Sequence, residues 1–269
     1  MSKKAIGKSE GSNMMEQRKA YWLKILILFG LGFVGVLSAL PLIPQLLQIS
    51  GQQSPLPLSL LYVISAVQSS ALLIAMIFIG IWAAPKVELE TPIIDAWIGK
   101  SLGSINYRRI ILPAVIWGVV GGVAILAVQG VFLPYLPGEF IGNAQAFSLP
   151  VYTKLLYGGI TEEILIRFGL MSFFTWGIYR LIQQGQGSVN AYNYILAIIL
   201  SSLLFAIGHL PAVNLLSPTV TMPLVTYIIL GNSLFGFIAG ALYWKRGLEA
   251  AMIAHMVAHL VMIVGEKLV

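Results

Sequence analysis

The chain has 269 residues, of which 58% are hydrophobic and 10% are charged, and its formal net charge is +6. Soluble domains carry about 25% charged and about 45 to 50% apolar residues, so this composition excludes a water-soluble monomer. The low charge density also excludes a disordered chain. The sequence therefore predicts an all-α, polytopic transmembrane helical bundle whose surroundings are the lipid bilayer.

The absence of cysteine excludes disulfides, thiolate metal sites and cysteine nucleophiles. Any metal site would have to use His, Asp or Glu. In a chain this apolar, an excess of basic residues is typical of cytoplasmic loops and not of nucleic-acid binding. We expect no nucleic-acid partner and no cofactor, and the sequence gives no indication of the oligomeric state.

Residues 1–21 form a basic tail, and residues 22–269 are expected to form a single transmembrane domain. The first apolar stretch is too long for the core of a cleavable signal peptide. The predicted spans cover about residues 21–43, 58–84, 110–133, 151–182, 194–209, 222–244 and 248–264. The fourth is long enough that a break at Gly158-Gly159 or at Gly169 would give eight spans instead of seven.

Basic residues are distributed unevenly between the two sides of this bundle. Thirteen of the 16 Lys and Arg residues precede or open the first span or lie in the loops that follow the second, fourth and sixth spans. The opposite loops, at 45–57, 134–150 and 211–221, contain none. By the positive-inside rule the N-terminus is predicted to be cytoplasmic, in a multi-pass protein of the cell membrane.

Small residues recur in the sixth span, where Gly236 and Gly240 form a small-xxx-small step. Such steps allow helix backbones to approach closely. We assign this span to packing and expect no chemistry from it.

Ionisable residues inside a span are costly and mark candidate functional sites. The fourth span contains Glu162, Glu163 and Arg167. Residues four apart share a helical face, so Glu163 can pair with Arg167. Glu162 lies on another face and has no cation on its own helix, which makes it the better candidate for a general base.

All three histidines of the chain fall in its last quarter. His209 ends the fifth span, and His255 and His259 share one face of the seventh because they are four residues apart. We expect the three acidic and basic residues of the fourth span to converge with these histidines on one cavity.

Three short motifs, taken in chain order, resemble those of the CPBP (Abi) family of intramembrane proteases, which includes the type II CAAX prenyl endopeptidases and bacteriocin-processing proteins. The motifs are Glu162-Glu163-x-x-x-Arg167, Phe205-x-x-x-His209 and His255-x-x-x-His259. The resemblance covers roughly residues 150–265. It implies a helical bundle with a polar cavity that hydrolyses a peptide bond in a peptide or protein substrate.

Carried over from the family, Glu162 and His209 would activate the water, and His255 with the residue at 259 would stabilise the oxyanion. Many members have Asn where this chain has His259. Since His can also bind metal, this departure leaves the oxyanion role open.

Two alternatives to a metal-independent, glutamate-type endopeptidase remain. One is a zinc hydrolase using His209, His255 and His259, since catalytic zinc usually has three protein ligands and a water. The other is a membrane scaffold, chaperone or transporter that retains the motifs, since buried ionisable residues also serve proton relays.

Overall fold

The computed structural model describes residues 3–51, 54–99, 105–147 and 149–267, and within these ranges the chain is helical and contains no strand. Lys100, which belongs to the predicted basic loop, lies outside them, as do the first two residues of the predicted N-terminal tail. The helices are α1 (Lys3–Ala39), α2 (Ile43–Ser50), α3 (Leu58–Ala83), α4 (Pro92–Trp97), α5 (Tyr107–Phe132), α6 (Gly138–Ala146), α7 (Val151–Leu181), α8 (Ala191–Gly208), α9 (Leu210–Leu216), α10 (Met222–Arg246) and α11 (Leu248–Gly265).

Seven segments of the described chain are long and apolar enough to cross a membrane, which confirms the predicted helical bundle. They run over Met14–Ser50, Leu58–Val87, Tyr107–Tyr135, Val151–Leu181, Ala191–Leu216, Met222–Arg246 and Leu248–Gly265. The long fourth span is one continuous helix, α7, so the chain does not form an eighth span at its glycines. The protein is an integral, multi-pass membrane protein.

The glycines at which α7 was expected to break instead allow neighbouring helices to approach it. A Cβ atom added to Gly158 would lie 2.6 Å from Nε2 of His259, and one added to Gly169 would lie 2.7 Å from Cβ of Met76. Gly236 and Gly240 do the same in α10, where added Cβ atoms would meet Ser202 and Ile198 of α8. Close approach of backbones explains these glycines better than helix termination does.

The spans begin where the sequence supplies helix-start signals. Pro57 and Pro150 directly precede α3 and α7. The side chain of Thr221 accepts a hydrogen bond from the backbone N–H of Leu224 at the start of α10. Proline and capping hydroxyls suit these positions because the first backbone N–H groups of a helix have no partner within it.

The loop between the second and third spans contains a short helix, α4, that the hydropathy pattern did not predict. Lys24 of the first span forms an ion pair with Asp95 of α4, with 2.9 Å between Nζ and Oδ1. The backbone N–H of Ile94 donates to Oε1 of Glu249 at 2.8 Å. This segment therefore connects the first span to the last at the predicted cytoplasmic end of the bundle.

The fourth span lies at the centre of the bundle and carries the charged groups. Its N-terminal half packs against α1 and α11, and its C-terminal half packs against α3 and α8. Glu163 and Arg167 are fully buried in it, at 0% exposure. The fold therefore brings the acidic motif of α7 next to the histidine-bearing helices α8 and α11.

Candidate active site

The segment of α7 that carries the acidic motif has π-helical hydrogen bonding. Its two π-helical stretches cover Lys154–Glu162 and Ile164–Met171. The wider turn appears in side-chain bonds as well, since the Thr161 hydroxyl reaches the carbonyl of Leu156 and the Ser172 hydroxyl that of Arg167, each five residues back. π-helical turns are rare and often occur at functional sites.

The carboxylate of Glu163 contacts two side chains at once, an arginine and a histidine. Its Oε1 lies 2.8 Å from Nδ1 of His255, and its Oε2 lies 3.3 Å from Nε of Arg167. The ion pair expected from the four-residue spacing is therefore present, and His255 is an additional partner from the last helix. Since a carboxylate only accepts hydrogen bonds, Nδ1 of His255 is the donor.

Arg167 is enclosed by the protein and has little hydrogen bonding. None of its guanidinium nitrogens has a hydrogen-bond partner among the described residues. Its charge is balanced by Glu163 and by the face of the Phe205 ring, whose centroid lies 5.4 Å from Cζ. A buried arginine of this kind depends on its acidic partner, because an unpaired buried charge is costly.

His209 sits where α8 ends, and its ring is held by Phe205. Its Nδ1 lies 2.8 Å from the Phe205 carbonyl oxygen, and the two rings meet edge to face with 4.6 Å between centroids. Because a carbonyl only accepts, Nδ1 carries the proton in this bond. The ring is thereby oriented with Nε2 uncommitted.

Glu162 differs from Glu163 in its exposure and in its bonding partners. It is partly exposed, and among the described residues it forms no hydrogen bond or ion pair. It lies within electrostatic range of His209, His255 and Arg167. The two adjacent acids thus occupy different environments: Glu163 is bonded to His255 and Arg167, and Glu162 has no hydrogen-bond or ion-pair partner among the described residues.

His255 and His259 stack on each other. Their ring centroids are 4.8 Å apart and the planes differ by 15°. Phe235 packs against His255 with 4.4 Å between centroids. His259 lies against the backbone of α7 at Gly158, so both histidines connect the last helix to the central one.

The zinc alternative requires several of these side chains to surround one point. Among the described residues no group of three or more His, Asp or Glu side chains could hold a metal ion. The stacking gives a physical reason, because imidazole nitrogens coordinate in the ring plane and two parallel, stacked rings do not aim at one ion.

A cavity of about 150 Å³ opens beside the stacked histidines. Its walls are mainly apolar, and its polar side chains are Tyr227, Asn232, His255 and His259. Glu162 and His209 do not line it. Of the six predicted residues, only His255 and His259 line this cavity, and Glu163 and Arg167 connect to it through the bond between Glu163 and His255. The convergence of Glu162 and His209 on this cavity stays a prediction.

Two polar residues of this cavity, Tyr227 and Asn232, come from α10, for which only packing was predicted. Asn232 is the sole asparagine of the sixth span, and a carboxamide in an apolar helix is a sequence signal of a polar site. No role was predicted for the Phe205 side chain, which contacts Arg167, His209 and His255.

Comparison with known proteins gives one match. Residues 144–261 match the family model described as "Type II CAAX prenyl endopeptidase Rce1-like". This range includes all six predicted site residues. No curated protein matches the chain, and no solved structure does.

Proposed function

We propose that this chain, whose residues 144–261 match the Rce1-like family model of CAAX-type proteases, hydrolyses a peptide bond with a water molecule activated by Glu162 and His209. The proposal is a metal-independent endopeptidase mechanism of the glutamate type. The observation that carries it is the contrast between the two adjacent glutamates.

Glu162 is the side chain available to take a proton from water. A general base must be able to reach the attacking water and must not already be neutralised by a partner. Glu163 fails this requirement, because one oxygen accepts a hydrogen bond from His255 and the other pairs with Arg167. Glu162 meets it, because it is partly exposed and forms no ion pair with any described residue.

His209 is the second residue proposed to hydrogen-bond the attacking water, beside Glu162. Its Nδ1–H donates to the Phe205 carbonyl, so Nε2 is the nitrogen that can accept a hydrogen bond from water. Because the orienting acceptor is a backbone carbonyl, the ring orientation depends on the end of α8 and not on a mobile side chain.

In this proposal the stacked histidines stabilise the negative charge that develops on the scissile carbonyl oxygen. Nδ1–H of His255 donates to Glu163, so Nε2–H can donate to the oxyanion when the ring is in its imidazolium form, which the adjacent carboxylate favours. Donors that are held in place before reaction stabilise an oxyanion without further reorganisation. Stacking on His259 and packing on Phe235 hold the His255 ring in this position.

The reaction balances with these groups alone. Water attacks the scissile carbonyl carbon, its proton passes to Glu162, and a tetrahedral oxyanion forms beside His255 and His259. The C–N bond then breaks, and the departing amine takes the proton from Glu162. The products are a carboxylic acid and an amine, which leave as carboxylate and ammonium after the acid transfers its proton to the amine, and Glu162 is ionised again for the next turnover.

The test is cleavage of internally quenched peptides that end in Cys-aliphatic-aliphatic-X, with and without a prenyl group on Cys, by the purified protein in liposomes. Glu162→Gln should reduce kcat by ~10² to 10⁴-fold, as expected for loss of a general base. Glu139→Gln is the matched control, because Glu139 is an exposed acid of α6 outside the site.

A chelator arm separates this mechanism from a zinc hydrolase. We expect full cleavage in excess 1,10-phenanthroline and no bound zinc by mass spectrometry. Loss of activity with chelator and recovery with zinc would contradict the proposal. Wild-type cleavage by the Glu162→Gln variant would contradict the assignment of the base.

The site is predicted to lie in the membrane with the N-terminus in the cytoplasm, as the distribution of basic residues indicates. The partners proposed for the protein are the bilayer and a peptide or protein substrate. The residues of the site do not specify whether that substrate is prenylated, and the two peptides above decide it.

A further inference from the structure

We infer that Asn232 of α10 is a positioning residue that hydrogen-bonds the backbone of the substrate beside the scissile bond. The inference rests on the proposed function, since it assigns a residue to the same site. It starts from the cavity beside the histidines, where Asn232 contributes the one carboxamide among the lining residues.

The side chain of Asn232 is held by one hydrogen bond, and the rest of its hydrogen-bonding capacity is unfilled within the described part of the chain. Its Nδ2 donates to the Ile228 carbonyl four residues earlier, at 2.8 Å. The second N–H of the amide and the Oδ1 acceptor have no partner among the described residues. Because an amide nitrogen carries two donors, the group keeps one donor and one acceptor for a ligand.

The position of Asn232 explains what that ligand would be. The walls of the cavity include the apolar side chains of Ile125, Phe235 and Met262, so a carboxamide here is not needed for packing. A peptide segment that enters a membrane protein loses the water that satisfied its N–H and C=O groups. A free donor beside a free acceptor is complementary to one peptide group.

Asn232 also lies close to the residues proposed to stabilise the oxyanion. It lines the same cavity as His255 and His259, the residues proposed to contact the developing oxyanion. A substrate backbone held by Asn232 would therefore pass the histidines from the side of α10. Contacts of this kind act before and during the reaction alike, so their loss raises KM more than it lowers kcat.

The experiment measures kcat and KM for Asn232→Ala with the quenched peptides in liposomes. We expect KM to rise about tenfold, the scale of one lost hydrogen bond in a site without water, with kcat changed less than about threefold. Ser233→Ala is the matched control, because Ser233 is the neighbouring buried polar residue of the same helix and does not line the cavity.

A second measurement identifies the contact itself. Peptides in which one backbone amide at a time is replaced by an ester lack a single N–H donor. At one position the ester should raise KM for the wild-type protein but cause no further rise for Asn232→Ala, since non-additivity marks two groups that contact each other. A merely structural role for Asn232 would leave every ester effect additive.

The outcomes separate the two proposals. If the wild type cleaves and Glu162→Gln does not, but Asn232→Ala keeps the wild-type KM or all ester effects are additive, the role of Asn232 is overturned and the proposed function stands. If the wild type cleaves none of the peptides, the proposed function fails and the role of Asn232 fails with it.

Discussion

Oε1 of Glu163 lies 2.8 Å from Nδ1 of His255, a residue 92 positions further along the chain. The other oxygen of the same carboxylate faces Arg167 one helical turn away. The carboxylate of Glu163 thus links α7 to α11 by its hydrogen bond with His255. This bond organises the cluster, and it gives the two adjacent glutamates separable consequences when they are mutated.

Glu163→Gln should destabilise the protein, because it leaves the buried guanidinium of Arg167 without its counterion. Breaking a buried pair typically costs about 3 to 5 kcal/mol, so we expect a clearly lower melting temperature in detergent and less folded protein in the membrane. Glu162→Gln, which breaks no described ion pair, should melt like the wild type.

The double variant Glu163→Leu with Arg167→Met tests the cause of that loss. Replacing both members of a buried pair by apolar residues is often neutral or better, so much of the melting temperature should recover, less the loss from the His255 N–H that no longer has its acceptor, while peptide cleavage stays lost. A double variant that melts as low as Glu163→Gln would show that the ion pair is not the source of the effect.

Gly158→Ala should separate α7 from α11. The new Cβ atom would lie 2.6 Å from Nε2 of His259, a distance that real side chains do not tolerate. We expect a lower melting temperature and a lower kcat. Gly177→Ala is the control within the same helix, because an added Cβ there meets nothing within 4 Å and alanine favours a helix over glycine. If His259 causes the clash, adding His259→Ala to Gly158→Ala should restore much of the melting temperature.

Phe205→Leu should lower kcat more than it lowers stability. The substitution removes the aromatic face over Arg167 and the edge contact that packs His209, while the backbone carbonyl that binds His209 remains. A cation–π contact is worth about 0.5 to 2 kcal/mol, so the melting temperature should fall modestly. Phe237→Leu, on an exposed face of α10, should change neither quantity. Equal effects of the two substitutions on kcat would remove the role given to Phe205.

The predicted orientation can be tested by cysteine labelling, which is clean because the chain has no native cysteine. Thr219→Cys, in the loop between the fifth and sixth spans, should react with an impermeant maleimide on intact cells. Gln186→Cys, in the loop between the fourth and fifth, should react only after permeabilisation. Both positions are exposed. The reverse pattern would invert the topology.

Hydropathy and charge predicted the part of this structure that depends on local sequence. Five of the seven described spans begin and end within three residues of the predicted bounds, since a span must be about 20 apolar residues long whatever its neighbours are. The first and the fifth extend up to seven residues further, because their helical segments continue beyond the apolar stretch. The pair Glu163 and Arg167 was predictable for the same reason, because both residues lie on one helix.

Features that depend on contacts between distant segments could not be predicted in this way. The bond between Glu163 and His255 joins α7 to α11, and no periodicity reports which histidine reaches which glutamate. The helix α4 was missed because six residues are too few to give a helical period, and the bonds from Lys24 and Glu249 that hold it come from distant segments. Gly158 suggests a helix break in the sequence, and the reason for its presence, the ring of His259, lies on another helix.

The order of synthesis gives the bond between Glu163 and His255 a further consequence. His255 belongs to the seventh described span, so a nascent protein elongated only as far as Arg246 contains Glu163 and Arg167 but no His255, and the backbone of its Gly158 has no histidine beside it. The cluster therefore lacks two of its members until α11 has been made and has entered the bilayer. Up to that point the buried guanidinium of Arg167 has the carboxylate of Glu163 to itself.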